Sequence, residues 1–362
     1  MIHFLKSLIS NSPNKLITYA EYMGAVLYDP EHGYYMKDKQ KIGPAGDFIT
    51  TSNVSDIFGR AIARWIAEFY KKNNITPFFC EVGAGNGRFA KAFLEEWDEK
   101  VKTPLTYMIV ESSPYHRKLQ NELLKPRFSP IQVETIEEVQ NFEGVIFSNE
   151  LFDALPIHVI EKENGLIYEV MVGIKGDKLF EEKVILSNED IQRFLKENEI
   201  ELREKQRMEI PLEMGNMLTK ISSALLKGLV VTVDYGYSLE EWMEPSRIRG
   251  SLRGYYRHQM VDNVLEYPGE MDITSHIHFD SFLKSGEQLQ LKNGMKFRQD
   301  EFLLNTGILK ELKDHYDPNP FSEISKRNRA IRSLIMPSGM SSFFHVLIQQ
   351  KKLEIKSHDL FE

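Results

Sequence analysis

Phe78-Phe79-Cys80-Glu81-Val82-Gly83-Ala84-Gly85-Asn86-Gly87 is the stretch on which the fold of this chain turns. Apolar residues suited to a buried strand run into three glycines at alternate positions. Arg88-Phe89-Ala90-Lys91-Ala92-Phe93-Leu94 then has the pattern of a helix start. Strand, glycine turn and helix together bring a nucleotide-like ligand close to the backbone of a doubly wound sheet. Glycine is required there because a Cβ would meet the ligand or forbid the positive φ of the turn. The spacing G-x-G-x-G is not the dinucleotide fingerprint G-x-G-x-x-G, whose helix N-terminus faces a pyrophosphate. A ligand without phosphate, such as S-adenosylmethionine, needs close backbone approach more than an anion site. Glu81, ahead of the turn, suits the cationic end of such a ligand.

Working outward, Leu105-Thr106-Tyr107-Met108-Ile109-Val110-Glu111 has the pattern of the next strand and ends in an acid. Glu111 lies 24 residues after Gly87, about where a strand-end acid meets ribose hydroxyls. Candidate cofactor-binding residues are therefore Glu81, Gly83, Gly85, Gly87 and Glu111. Asp47, in the early loop Gly43–Ser52, joins them as a contact from a cap.

The remaining pattern agrees with an α/β class. Strands are expected at 78–82, 105–111, 131–134 and 144–148, with helices near 87–98 and 114–124. Residues 1–75 form an N-terminal helical cap with two glycine-rich loops. Residues 76–156 form the first half of the main domain. Residues 157–226 are an inserted α+β region with an antiparallel meander, and 227–362 complete the main domain. The run Gly228–Tyr237 is a buried strand ending in Asp234. Residues 238–278 are expected to be mostly loop. Late strands fall at 288–291 and 343–349, around helices near 300–313 and 322–335.

The chain has 362 residues, 42% hydrophobic and 27% charged, with a net charge of −8 and a pI of about 5.8. These values suit a soluble globular protein and supply no long basic tract for nucleic acid. Its single cysteine, Cys80, cannot form an intrachain disulfide, in keeping with a reducing, cytoplasmic setting. No apolar run reaches the ~18 residues of a membrane span. His276, His278 and Asp272 lack the spacing of a metal site, so no metal is expected.

Glu81–Gly87, Ser148–Pro156 and Val233–Gly236, together with Tyr28–Tyr35, Gly46–Gly59, Leu252–Gln259 and Asp272–Phe279, resemble the MidA-like family of class I S-adenosylmethionine methyltransferases. The resemblance runs in order along almost the whole chain. It implies a doubly wound, mostly parallel, seven-stranded Rossmann-like sheet with a final antiparallel hairpin, an insertion after the fourth strand, and S-adenosylmethionine as cofactor. It also implies methyl transfer to an arginine side chain of a protein.

Asn149, Glu150 and Asp153 follow the fourth strand, where such sheets bind substrate, and are the candidate catalytic residues. Glu150 and Asp153 are three apart, so a helical turn would place both carboxylates on one side, suited to a guanidinium. Asp234, Arg257, His258 and His276 are candidate substrate-binding residues. Two other readings stay open: methyl transfer to a small molecule or another side chain, and an assembly factor that keeps the cofactor fold without turnover. The acceptor's identity and homo-oligomerisation also stay open.

Overall fold

This computed structural model describes residues 1–39, 41, 56–139, 141–312, 319–336 and 340–361. The strands in chain order are β1 (Ile17–Thr18), β2 (Phe78–Val82), β3 (Thr106–Val110), β4 (Ile131–Val133), β5 (Phe142–Asn149), β6 (His158–Glu163), β7 (Leu166–Lys175) and β8 (Lys178–Ile185). They continue with β9 (Arg207–Ile210), β10 (Leu225–Tyr237), β11 (Arg253–Tyr256), β12 (Gln259–Val261), β13 (Asp272–Thr274), β14 (Ile277–His278), β15 (Lys292–Arg298) and β16 (Phe344–Lys351).

Two compact units share the chain. One comprises Ile49–Leu151, Leu218–Tyr235 and Gly286–Glu362. Its mixed sheet runs β15-β16-β10-β5-β2-β3-β4. Neighbours from β10 to β4 are parallel, and β16 is antiparallel to both β10 and β15. Each strand of a parallel sheet is buried on both faces, which is why β2 and β5 are near-continuous apolar runs. Phe79 packs at a tilt against Phe93 at 4.3 Å and Phe89 stacks on Phe147 at 4.4 Å, tying β2 and β5 to the Arg88–Glu96 helix. Burying one such ring contributes about 1.5–3 kcal/mol. The amphipathic helix Ile57–Asn73 joins this core through Phe58, Ile62, Ile66 and Phe69. The expected 1–75 segment is thus divided, because the apolar face of this helix packs with the sheet unit.

The other unit comprises Met1–Phe48, Phe152–Met217 and Gly236–Ser285. It holds the expected meander as a sheet ordered β1-β7-β6-β9, with β8 on the other side of β7. Helices Ile2–Asn11 and Tyr19–Tyr28 share its core with Val159, Val170 and Val172. The Tyr19 helix begins in a capping box, with Thr18 and Glu21 exchanging side-chain and backbone bonds.

Residues 238–278 are mostly loop, as expected, and within them β12, β11 and β13 form a three-stranded sheet. These strands are three or four residues long, too short for alternation to show. Two expectations are corrected. The strand expected at 288–291 falls at Lys292–Arg298, because residues 289–291 close the Phe279–Gln288 helix in a turn, their amides donating to the Gly286 and Glu287 carbonyls. Residues 150–153 make no helical turn, since Glu150 has a left-handed φ of 52°. Its spacing from Asp153 therefore does not by itself align the two carboxylates. Asp47 lies outside the described residues, as does the whole of the second early loop, residues 43–52.

Candidate active site

Within the sheet unit, β2 delivers the glycine turn as expected. Gly83, Gly85 and Gly87 have φ of 74°, 53° and 79°, and Gly87 precedes the Arg88–Glu96 helix. L-residues pay about 1–2 kcal/mol each for such a conformation. A Cβ on Gly83 would stand 3.0 Å from Leu151, and one on Gly87 3.0 Å from Gln120. The turn is thus a close-packed backbone cradle beside the segment that follows β5.

Glu111, just after β3, is buried and bonds across to this turn. Its Oε2 accepts from the Gly85 amide and its Oε1 from the Ser113 amide, both at 2.9 Å. Ser113 in turn caps the Pro114–Leu124 helix. A carboxylate has about four lone-pair sites, so both oxygens retain room for a hydroxyl donor.

Sequence reasoning missed three neighbours. Gln120 Nε2 donates to the Gly85 carbonyl at 2.7 Å, and Gln132 Nε2 donates to Gln120 Oε1 at 2.8 Å. This amide relay fixes the turn from the side of β4. The third is Tyr107, whose hydroxyl donates to Glu81 Oε2 at 2.6 Å. Glu81 is buried, and burial pushes its pKa up to about 8; the Tyr107 bond pulls the other way and the Glu111 charge adds to the rise. The signals available were an aromatic pointing off β3 and a glutamine on a buried helical stripe, neither specific before the fold is known.

At the C-terminal end of β5, the Glu150 amide donates to the Val233 carbonyl at 2.9 Å. Asn149 Nδ2 donates to Glu150 Oε1 at 3.0 Å. The buried Asn149 Oδ1 accepts no hydrogen bond among the described residues. Asp234 is fully buried next to Val233, and its Oδ1 accepts from the Tyr235 amide at 2.9 Å, a local turn bond. The glycine turn, Glu111, Asn149, Glu150 and Asp234 therefore all belong to one unit, around the C-terminal ends of adjacent strands β3, β2, β5 and β10.

The other unit carries the remaining candidates. Asp153 is buried, and its carbonyl accepts from the Ser275 amide at 2.9 Å. Tyr28 donates to the neighbouring Ala154 carbonyl at 2.9 Å, and Tyr35 donates to Asp272. Arg257 and His258 form the two-residue turn between β11 and β12, both exposed and both left-handed. His276 stacks on Tyr237 at 4.4 Å, and burial, aided by Arg253 and Arg247, lowers its pKa to about 4. It is therefore neutral near pH 7. No group of three or more metal-ligating side chains occurs among the described residues. No described helix is long and apolar enough to cross a membrane.

The turn fits S-adenosylmethionine: its glycine cradle would be filled by side chains, and Glu111 sits where a hydroxyl-bearing ribose can be received. Comparisons with known proteins agree. The crystal structure of a COG1565 superfamily member from Burkholderia thailandensis, bound to S-adenosyl-homocysteine, superposes with a TM-score of 0.87 at 26% identity, covering 99% of this chain and 94% of that one. Protein arginine methyltransferase NDUFAF7, mitochondrial, from Danio rerio is 27% identical over 95% of this chain and 86% of its own length. The Homo sapiens protein of the same name is 26% identical over 96% and 83%. Residues 61–295 match the profile of a family described as "Putative S-adenosyl-L-methionine-dependent methyltransferase", and with that match over most of its length the chain belongs to this MidA-like family of S-adenosylmethionine-dependent methyltransferases.

Proposed function

We propose that the methyl acceptor is an arginine side chain of a protein and that Glu150 holds its guanidinium. The observation that carries this reading is Glu150 itself. It is a non-glycine residue in a left-handed conformation at the end of a central strand, held by Val233 and by Asn149. Backbone strain of this kind costs about 1–3 kcal/mol and concentrates at functional sites. The relatives' printed name, protein arginine methyltransferase, supports the same acceptor.

S-adenosylmethionine, when bound, supplies a methyl group on a sulfonium that leaves as a neutral thioether. The acceptor nitrogen forms the new carbon–nitrogen bond as the carbon–sulfur bond breaks, and then loses one proton. Arginine is a poor nucleophile because its charge is delocalised and its pKa lies above about 12. A carboxylate on the far nitrogens localises that charge, leaves the near nitrogen nucleophilic, and in this reading takes the released proton. Planar two-point bonding also selects guanidinium over an ammonium. Asp153 is the second expected carboxylate, and near-normal turnover by Asp153→Asn would remove it from this role. We also propose that the sheet is the seven-stranded Rossmann-like sheet of this fold; the order β15-β16-β10-β5-β2-β3-β4 supports this.

The test is transfer of a labelled methyl group from S-adenosylmethionine into lysate proteins, with mass spectrometry to place it. Label on arginine is expected. Glu150→Gln keeps the shape and removes the charge, and should lower kcat about 10²–10³-fold with little change in cofactor affinity. Label on lysine, glutamine or a metabolite would overturn the acceptor, and no turnover at all would favour the assembly-factor reading. Near-normal turnover by Glu150→Gln would remove Glu150 from the chemistry.

A further inference from the structure

Asn149 is oriented by Glu150 in a way that leaves one strong acceptor without a partner among the described residues. Its Nδ2 donates to Glu150 Oε1 at 3.0 Å. A flipped amide would set two oxygens at that distance, so an ionised Glu150 fixes which end of the amide faces it. The other end, Oδ1, is then presented on the far side. There it is buried and accepts no bond among the described residues. A buried carbonyl oxygen without a donor costs about 1–3 kcal/mol. Asn149 closes β5, opposite Val233 in the parallel register with β10, so its backbone is fixed and the amide can turn only about its side-chain bonds.

From this we infer that Asn149 Oδ1 receives an N–H of the methyl acceptor, making Asn149 a specificity-determining residue that demands a donor-bearing nitrogen. The inference rests on the reading that Glu150 holds the acceptor. One amide then does two things: its nitrogen steadies the carboxylate that holds the guanidinium, and its oxygen recognises a guanidinium N–H. Since Oδ1 is buried in the free protein, the side chains over it shift when the acceptor enters. A neutral oxygen acceptor such as a hydroxyl without a second N–H satisfies this atom less well than a guanidinium, which carries five donors. The same chemistry could be offered by the ammonium of the cofactor, and the experiment separates the two sources.

The probe is the lysate protein that the wild-type enzyme labels, isolated and used as sole acceptor, alongside calorimetric titration with S-adenosylhomocysteine. Asn149→Leu, close in shape, removes both polar ends. We expect kcat to fall at least 100-fold while S-adenosylhomocysteine affinity stays within twofold. We also expect Tm to hold or rise, because an unsatisfied buried polar atom is gone. Asn149→Asp places two carboxyl groups side by side, which raises one pKa of the pair. Below that value the shared proton replaces the lost Nδ2 donor; above it the charges repel. The activity of this variant should therefore survive at low pH and fall as pH rises, through a limb that the wild type lacks. A drop in S-adenosylhomocysteine affinity matching the loss of turnover would assign Oδ1 to the cofactor and overturn the inference. Unchanged kcat in a folded Asn149→Leu would also overturn it, leaving Asn149 structural. Label on a residue other than arginine would instead overturn the arginine reading, and absence of any label would remove turnover and the inference with it.

Discussion

Glu81→Gln isolates the energetic cost of the acid beneath the glycine turn. Glu81 is 3% exposed and is paired in register with Ile109 on one side and Phe147 on the other. Burial lifts its pKa from 4.5 to about 8, in spite of the Tyr107 hydroxyl at 2.6 Å. Because the folded value is raised, the folded chain keeps a proton that the unfolded chain has lost. Stability therefore falls as pH climbs above about 4.5, and the loss is complete once pH passes about 8. The steepest slope for one group is about 1.4 kcal/mol per pH unit, so the window is worth on the order of 3–5 kcal/mol. Glutamine has the same shape, no charge, and an oxygen that can take the Tyr107 bond. Relative to the parent, Glu81→Gln should gain stability steadily from pH 5 to pH 8 and level off beyond. Trp65 and Trp97 lie in the sheet unit, and Trp242 lies in the other. In a Trp242→Phe background, urea unfolding followed by fluorescence thus reports the sheet unit alone. A difference between the two proteins that stays constant from pH 5 to pH 9 would refute the buried-acid argument.

Two further predictions concern the turn. Gly85→Val puts a β-branched side chain at a φ of 53°, between the Glu111 and Gln120 bonds. It should weaken S-adenosylhomocysteine binding by about 100-fold or more in a protein that still folds; unchanged affinity by calorimetry would remove the turn from the cofactor site. Gln120→Leu strips the donor from the Gly85 carbonyl and the acceptor from Gln132, for a loss of about 1–3 kcal/mol in urea unfolding. Adding Gln132→Leu should restore part of it, since both partners are then apolar; fully additive losses would show that the relay is not a unit.

What the sequence shows and what it hides follow from how far apart the determinants lie. The glycine turn is legible because every requirement for it is local: an apolar strand before it, positive φ within it, a helix after it. Glu111 is legible for a related reason, as one strand–helix–strand unit fixes where the next strand must end. Glu150 shows where local reasoning stops. Its spacing from Asp153 suggested a helical turn, but the Val233 carbonyl, more than eighty residues on, takes its amide and holds it left-handed. Tyr107, Gln120 and Gln132 were silent for the same cause: each is an ordinary residue for its element, and only the packing of β3, β4 and the Pro114–Leu124 helix in the sheet unit brings Tyr107 to Glu81, Gln120 to Gly85 and Gln132 to Gln120. Glu81 carries the argument furthest. Its place before the turn suggested a carboxylate aimed at a cation, while the fold gives it a phenol for a partner and enough burial to keep it protonated at pH 7. A cationic ligand near Glu81 would favour the ionised form, so its binding should release a proton there. The sequence-based role and the observed environment are then two ends of one titration, with the ligand driving the change.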